Sequence, residues 1–261
     1  MARLRSALAL VALLLACSDA AQAQWRIVSS ERQETGRAGV VHLEARAENA
    51  ENGARATLHF AVFNTKSATL RVIDDPPATH ASLEETMQRE NCIAGVNGGY
   101  FDPENAPVGL LVSDGRVVMQ KQKARLLSGV VSVVNGRLQI QRAGEYAPKV
   151  KPTAARQCGP FLVEGAKAVP GLNDTRAARR TFVASNGADQ AAIGYSSHVT
   201  LAQLSRILAT PGVAADLKIQ RALNMDGGSS SGFWFKGENG GAFSLREQKT
   251  VRDYLGVVPK A

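Results

Sequence analysis

Four dipeptides, Asp114-Gly115, Asn135-Gly136, Glu164-Gly165 and Asn186-Gly187, each stand between short apolar runs, and they constrain the fold more than any other feature. Asn-Gly and Asp-Gly supply the positive φ that two-residue hairpins need. A chain punctuated in this way pairs much of its length as antiparallel sheet. The runs agree: Ala56 to Phe63 and Ala68 to Ile73 are apolar and rich in β-branched residues.

Two segments break the pattern. Ser82 with Glu85, and Thr200 with Gln203, form capping boxes ahead of Leu83 to Arg89 and of Leu201, Leu204, Ile207 and Leu208, whose spacing gives one apolar face. Both segments are expected to be helices. Each leads into a strand that ends in a glycine-rich loop, Asn97-Gly98-Gly99-Tyr100-Phe101 after the first and Asp226-Gly227-Gly228-Ser229-Ser230 after the second. The expected class is therefore mixed α/β or α+β: a central mixed, largely antiparallel sheet with a few flanking helices. Both polar loops would lie past the carboxyl ends of strands, where open α/β sheets build ligand sites.

The N-terminus bounds the compartment. Arg3 and Arg5 precede an apolar run from Ala7 to Ala16 and then Ala21-Gln22-Ala23, a small-x-small cleavage pattern, so residues 1–23 are expected to be a signal peptide with the mature chain starting near Gln24. A lipobox reading, with Cys17 as a lipidated terminus, is the alternative; Leu15 is unusual for it. The destination is periplasmic or extracellular. No later run reaches the length of a transmembrane helix. Residues 24–55 are expected to be N-terminal strands or an extension, and 56–261 one domain. Cys92 and Cys158 then form an even pair, compatible with a disulfide or with two buried free thiols.

The formal charge of +8 falls to +7 when two arginines and Asp19 leave with residues 1–23. This balance favours acidic partners such as phosphorylated glycans. The basic residues are scattered, without an arginine-rich run or aromatic ladder, which disfavours nucleic acid. No oligomeric state is legible.

The chemistry concentrates in the two loops. In Asn224-Met225-Asp226-Gly227-Gly228-Ser229-Ser230-Ser231-Gly232, a carboxylate is followed by two glycines that bring backbone N–H groups close to an anion, then by three hydroxyls. Gly228 to Gly232 formally matches the G-x-S-x-G elbow of serine hydrolases. That elbow must open a helix and precede a histidine, whereas Phe233-Trp234-Phe235 looks like a strand and the last histidine is His198. In the earlier loop Asn97 offers a donor and an acceptor, Tyr100 or Phe101 a stacking face for a sugar, and Asp102 a second carboxylate. His42, His59, His80 and His198 show no metal-ligand spacing, and no Walker A or G-x-G-x-x-G pattern occurs. No cofactor is expected, with an oxygen-ligated divalent cation at Asp102 or Asp226 left open.

Taken together, Val96-Asn-Gly-Gly-Tyr-Phe-Asp, Pro107-Val-Gly-Leu-Leu-Val-Ser-Asp-Gly, Gln157-Cys-Gly-Pro-Phe-Leu-Val, Arg180-Thr and Leu223-Asn-Met-Asp-Gly-Gly-Ser-Ser resemble the phosphodiester glycosidase family over roughly Ala56 to Pro259. That family includes the lysosomal uncovering enzyme. The chain departs from the family pattern at Cys158, where a small residue, often serine, is expected; a disulfide with Cys92 would account for it. The resemblance implies hydrolysis at an anomeric carbon bearing a phosphodiester, giving a free sugar and a phosphomonoester. It further implies acid/base or nucleophilic work for Asp226 with Asp102 as candidate partner, and phosphate contact for Arg180, ranked above Arg252. Asn97, Asn224, Gly98, Gly99, Gly227, Gly228, Ser229 and Ser230 would orient the substrate. The other classes weighed are a silent glycan-binding or envelope-assembly protein and an ordinary serine hydrolase acting through Ser230.

Overall fold

A computed structural model describes residues 25–76, 78–79, 81–147 and 151–260. The signal peptide expected at 1–23, Cys17 and His80 lie outside the described residues. The chain opens with β1 (Trp25–Thr35), β2 (Val41–Asn49), β3 (Arg55–Asn64), β4 (Ala68–Asp74), α1 (Leu83–Arg89) and β5 (Ala94–Asn97). It continues through β6 (Leu111–Ser113), β7 (Arg116–Met119), β8 (Gly129–Val134), β9 (Arg137–Arg142), β10 (Ala154–Cys158), β11 (Phe161–Glu164) and β12 (Lys167–Ala168). Then come β13 (Ala178–Ser185), β14 (Gln190–Val199), α2 (Leu201–Ala209), β15 (Arg221–Asn224), β16 (Phe233–Lys236), β17 (Ala242–Leu245) and β18 (Asp253–Pro259).

Instead of one central sheet there are three, of order β1-β2-β3-β14-β13-β15-β11-β12, β7-β6-β10-β8-β9 and β17-β16-β5-β18-β4. Every strand pairing among the described residues is antiparallel. The expected mixed class thus becomes a β-dominated one. The physical reason lies in the turns: Asp114-Gly115 and Asn135-Gly136 hold positive φ at both residues and close the β6–β7 and β8–β9 hairpins directly. Helical periodicity persists for only seven and nine residues.

Both capping boxes form as expected. Ser82 Oγ accepts from Glu85 N–H while Glu85 Oε2 accepts from Ser82 N–H, and Thr200 and Gln203 do the same for α2. Helix α1 seats Met87 over β5, where a Cβ on Gly95 would collide with the Met87 thioether. The largest apolar cluster joins all three sheets, with Phe63, Val183 and Leu223 from the eight-stranded sheet, Val131 from the second, and Val96, Phe233 and Leu255 from the third. Each such side chain contributes about 1.5–3 kcal/mol on burial. This shared core fixes the ends of β5 and β15 against each other.

Candidate functional site

The two glycine-rich loops start from different sheets and interlock. Beyond β15, Asp226 N–H donates to Gly98 O at 3.1 Å, and Asn97 Nδ2 at the end of β5 donates to Asp226 O at 2.9 Å. The Asn97 amide has no capacity left for a ligand: its Oδ1 accepts from Thr181 Oγ1 at 2.6 Å and from Gly232 N–H at 3.2 Å. Asn97 therefore staples β5, β13 and β16 around the start of the Asp226 loop.

The neighbouring glycines have a structural cause that sequence reasoning did not reach. Arg156 on β10 and Asp253 at the head of β18 form a fully buried ion pair, both side chains at 0% exposure, with Nη2 2.9 Å from Oδ2 and Nε 3.0 Å from Oδ1. Gly98 N–H donates to Asp253 O at 2.7 Å and Gly99 N–H to Asp253 Oδ1 at 3.2 Å. A Cβ on Gly98 would overlap the Asp253 carboxylate, and one on Gly99 the Arg156 guanidinium. Neither glycine has positive φ, so close approach is what requires them. Arg156 also donates to Tyr100 O at 2.7 Å and Val108 O at 2.9 Å, which ties down the rest of the loop.

The second loop presents its side chain to the site. Asp226 Oδ2 accepts from Ser230 Oγ at 2.5 Å and Oδ1 from Gly227 N–H at 2.9 Å. Burial pushes the Asp226 pKa upward; the two hydrogen bonds and the Lys249 charge oppose this, and the Asp253 charge adds to it. Gly228 takes φ of 66° at the start of a single 3-10 turn, Gly228–Ser230, and Ser229 is exposed. That turn runs into β16, so no helix follows the serines and the nucleophile-elbow geometry is absent.

Arg180 lies on β13 after a bulge that interrupts its pairing with β14 between Ala178 and Arg180. Its Nε donates to Val199 O at 3.1 Å and Nη2 to Arg176 O at 2.6 Å, while Nη1 lies 3.6 Å from where a Cβ on Gly227 would be. No carboxylate pairs with this cation among the described residues, and burial lowers its pKa. Arg179 is spent on the loop itself, donating to Gly228 O and Arg246 O. Tyr100 OH donates to Gly159 O, and burial raises its pKa strongly. Asn224 Nδ2 also reaches Gly159 O, at 2.9 Å, yet its buried Oδ1 has no hydrogen-bond partner. Phe101 is half-buried, with Lys249 Nζ 4.6 Å from its ring centroid.

The remaining candidates are engaged in other contacts. Asp102 Oδ1 accepts from Ala106 N–H at 2.7 Å and closes a local turn. Arg252 pairs with Asp74. Cys92 and Cys158 are buried free thiols, each pushed up to about 12 chiefly by burial, so the disulfide reading is not met. His42 Nε2 and His59 Nδ1 meet at 3.1 Å inside a wall of Phe233 and Phe243, and burial lowers the His42 pKa to about 4. Among the described residues no group of three or more His, Cys, Asp or Glu is placed to hold a metal ion, and no helix is long and apolar enough to cross a membrane.

A family model described as phosphodiester glycosidase matches residues 90–258. The fold resembles the catalytic domain of zebrafish N-acetylglucosamine-1-phosphodiester α-N-acetylglucosaminidase, auto-inhibited by its pro-peptide, with TM-score 0.59, 14% identity, and coverage of 89% of this chain and 81% of that one. It also resembles a hypothetical protein from Synechocystis (TM-score 0.57, 15% identity, 85% of this chain and 62% of that one). A protein from Burkholderia pseudomallei is similar too (TM-score 0.56, 12% identity, 80% and 75%). A search of curated proteins returns no match.

Proposed function

Because the chain belongs to the phosphodiester glycosidase family, we propose that it is a secreted hydrolase that cleaves the bond between an anomeric carbon and a phosphodiester in an envelope or extracellular glycan. The observation that carries this reading is the pairing of functions at one loop: a half-buried carboxylate with raised proton affinity, Asp226, and, alongside the adjoining Gly227, a half-buried cation, Arg180, without a carboxylate partner among the described residues. A phosphodiester carries one negative charge, which Arg180 neutralises. Val199 O and Arg176 O already occupy Nε and one Nη2 hydrogen, so the phosphate contact is made from Nη1 and the other Nη2 hydrogen.

Phosphate leaves readily without a strong general acid, so Asp226 serves as general base. Ser230 and Gly227 hold its carboxylate in one orientation, and it takes a proton from water as the water oxygen attacks the anomeric carbon. The anomeric C–O bond breaks, its electron pair departs on the phosphate oxygen, and the products are a free sugar and a phosphomonoester. Asn224 Oδ1, buried and without a donor, accepts from a sugar hydroxyl or amide. Phe101, half-buried beside Lys249, offers its other face to the sugar ring. In this reading Asp102 holds its own loop through Ala106 N–H and takes no part in the chemistry. The basic, apolar and Ala-x-Ala segments at the N-terminus support export.

The test is a panel of sugar-1-phosphodiesters incubated with the purified mature protein, scoring free sugar and new phosphomonoester together. Equimolar appearance of both supports the proposal. Glycan binding without release of either would identify a silent binding module instead.

A further inference from the structure

The buried Arg156–Asp253 pair performs no step in that reaction, yet it sits two hydrogen bonds from the group that does. Asp253 O holds Gly98 N–H, and Gly98 O holds Asp226 N–H. On its other side Arg156 spans Val108 O and Tyr100 O, and Tyr100 OH meets the same Gly159 carbonyl that Asn224 does. A pair placed for stability alone would be a poor choice, since desolvating two charges costs about what their attraction returns. We infer that the Arg156–Asp253 pair is the positioning element of the site, setting Asp226 through Gly98 and keeping the Asp253 charge balanced beside it.

Two consequences separate this role from simple scaffolding. Mechanically, the planar guanidinium fork is required, because a lysine cannot reach Asp253, Tyr100 O and Val108 O together. Electrostatically, the groups acting on Asp226 are Lys249, which favours its ionised form, and Asp253, which disfavours it; Tyr100 and Cys158 lie close enough to interact with it as well. Removing the Asp253 charge while leaving Arg156 should therefore make Asp226 easier to ionise.

The inference rests on the proposed role of Asp226, so its first measurement needs no substrate. The Asp226 carboxyl is titrated by carbon-13 NMR in the full mature chain, assigned with Asp226→Asn, for the wild type, for Asp253→Asn and for the neutral double variant Arg156→Gln/Asp253→Asn. The Asp226 midpoint is expected to fall in Asp253→Asn and to return part of the way in the double variant. A midpoint unchanged in either folded variant would overturn the electrostatic half. Should Asp253→Asn not fold, the double variant decides alone, through a midpoint lower than in the wild type. For the mechanical half, Arg156→Lys is expected to lower kcat on a sugar-1-phosphodiester by 10-fold or more with KM little changed; wild-type kcat in that variant would overturn it. If the wild type turns over no phosphodiester, the proposed function fails while the titration result stands.

Discussion

The loops at 97–99 and 226–230 are near-duplicates in sequence, each a polar side chain and a double glycine after a short strand, but they do opposite work. In the first, both amide ends of Asn97 and the N–H groups of Gly98 and Gly99 are committed to the protein, and the glycines exist because a buried ion pair leaves no room for a Cβ. In the second, Ser230 and Gly227 hold the Asp226 carboxylate, the Arg180 guanidinium lies alongside Gly227, and Gly228 stands in open space with positive φ. The same letters mean exclusion of side chains in one loop and presentation of a functional group in the other. The difference is set by what lies behind each loop.

Substitutions should separate the two. Gly98→Ala, which drives a methyl into Asp253, is expected to destabilise by about 3 kcal/mol and to lose turnover with it; chemical denaturation would show this, and a near-neutral result would deny that the pair shapes the loop. Arg180→Ala should raise KM for a phosphodiester by 10- to 100-fold, about 1.5–3 kcal/mol for charge-assisted bonds, without a comparable effect on a neutral aryl glycoside. Gly228→Ala has only a torsional cost, about 1 kcal/mol, and Gly228→Asn less, so thermal melts of these two against Gly98→Ala contrast torsion with collision.

The pH dependence bears on the second loop alone. Because burial raises the Asp226 pKa, a base there loses activity as pH falls through a midpoint above the ordinary aspartate range. Stability runs the other way. The folded state holds this proton more tightly than the unfolded chain, so the carboxyl's contribution is full below the unfolded pKa and is lost as pH rises through the folded one. Asp226→Asn should therefore be slightly more stable than the wild type at pH 7, and a less stable variant would show that Asp226 is structural.

Much of this was legible locally. Capping boxes, the Asp114-Gly115 and Asn135-Gly136 turns and the strand after the serines depend on contacts within a few residues and formed where the sequence puts them, whereas the turn expected at Glu164-Gly165 falls one residue later, at Gly165-Ala166. The three-sheet arrangement was not, because periodicity marks which face of a strand is buried without saying which sheet it joins. Arg156 and Asp253 escaped notice for a related reason: they are 97 residues apart, and each is the one charged residue of its strand. The available signal was a charge at a position the strand pattern buries, as in Ala154-Ala155-Arg156.

The division of labour between the loops is tested most directly by sugar and phosphomonoester release from a sugar-1-phosphodiester with Asp226→Asn, measured beside its melting curve. The account predicts a fold slightly more stable than the wild type with turnover reduced by about 10²–10⁴-fold, the worth of a positioned general base. Wild-type turnover in that variant would contradict it.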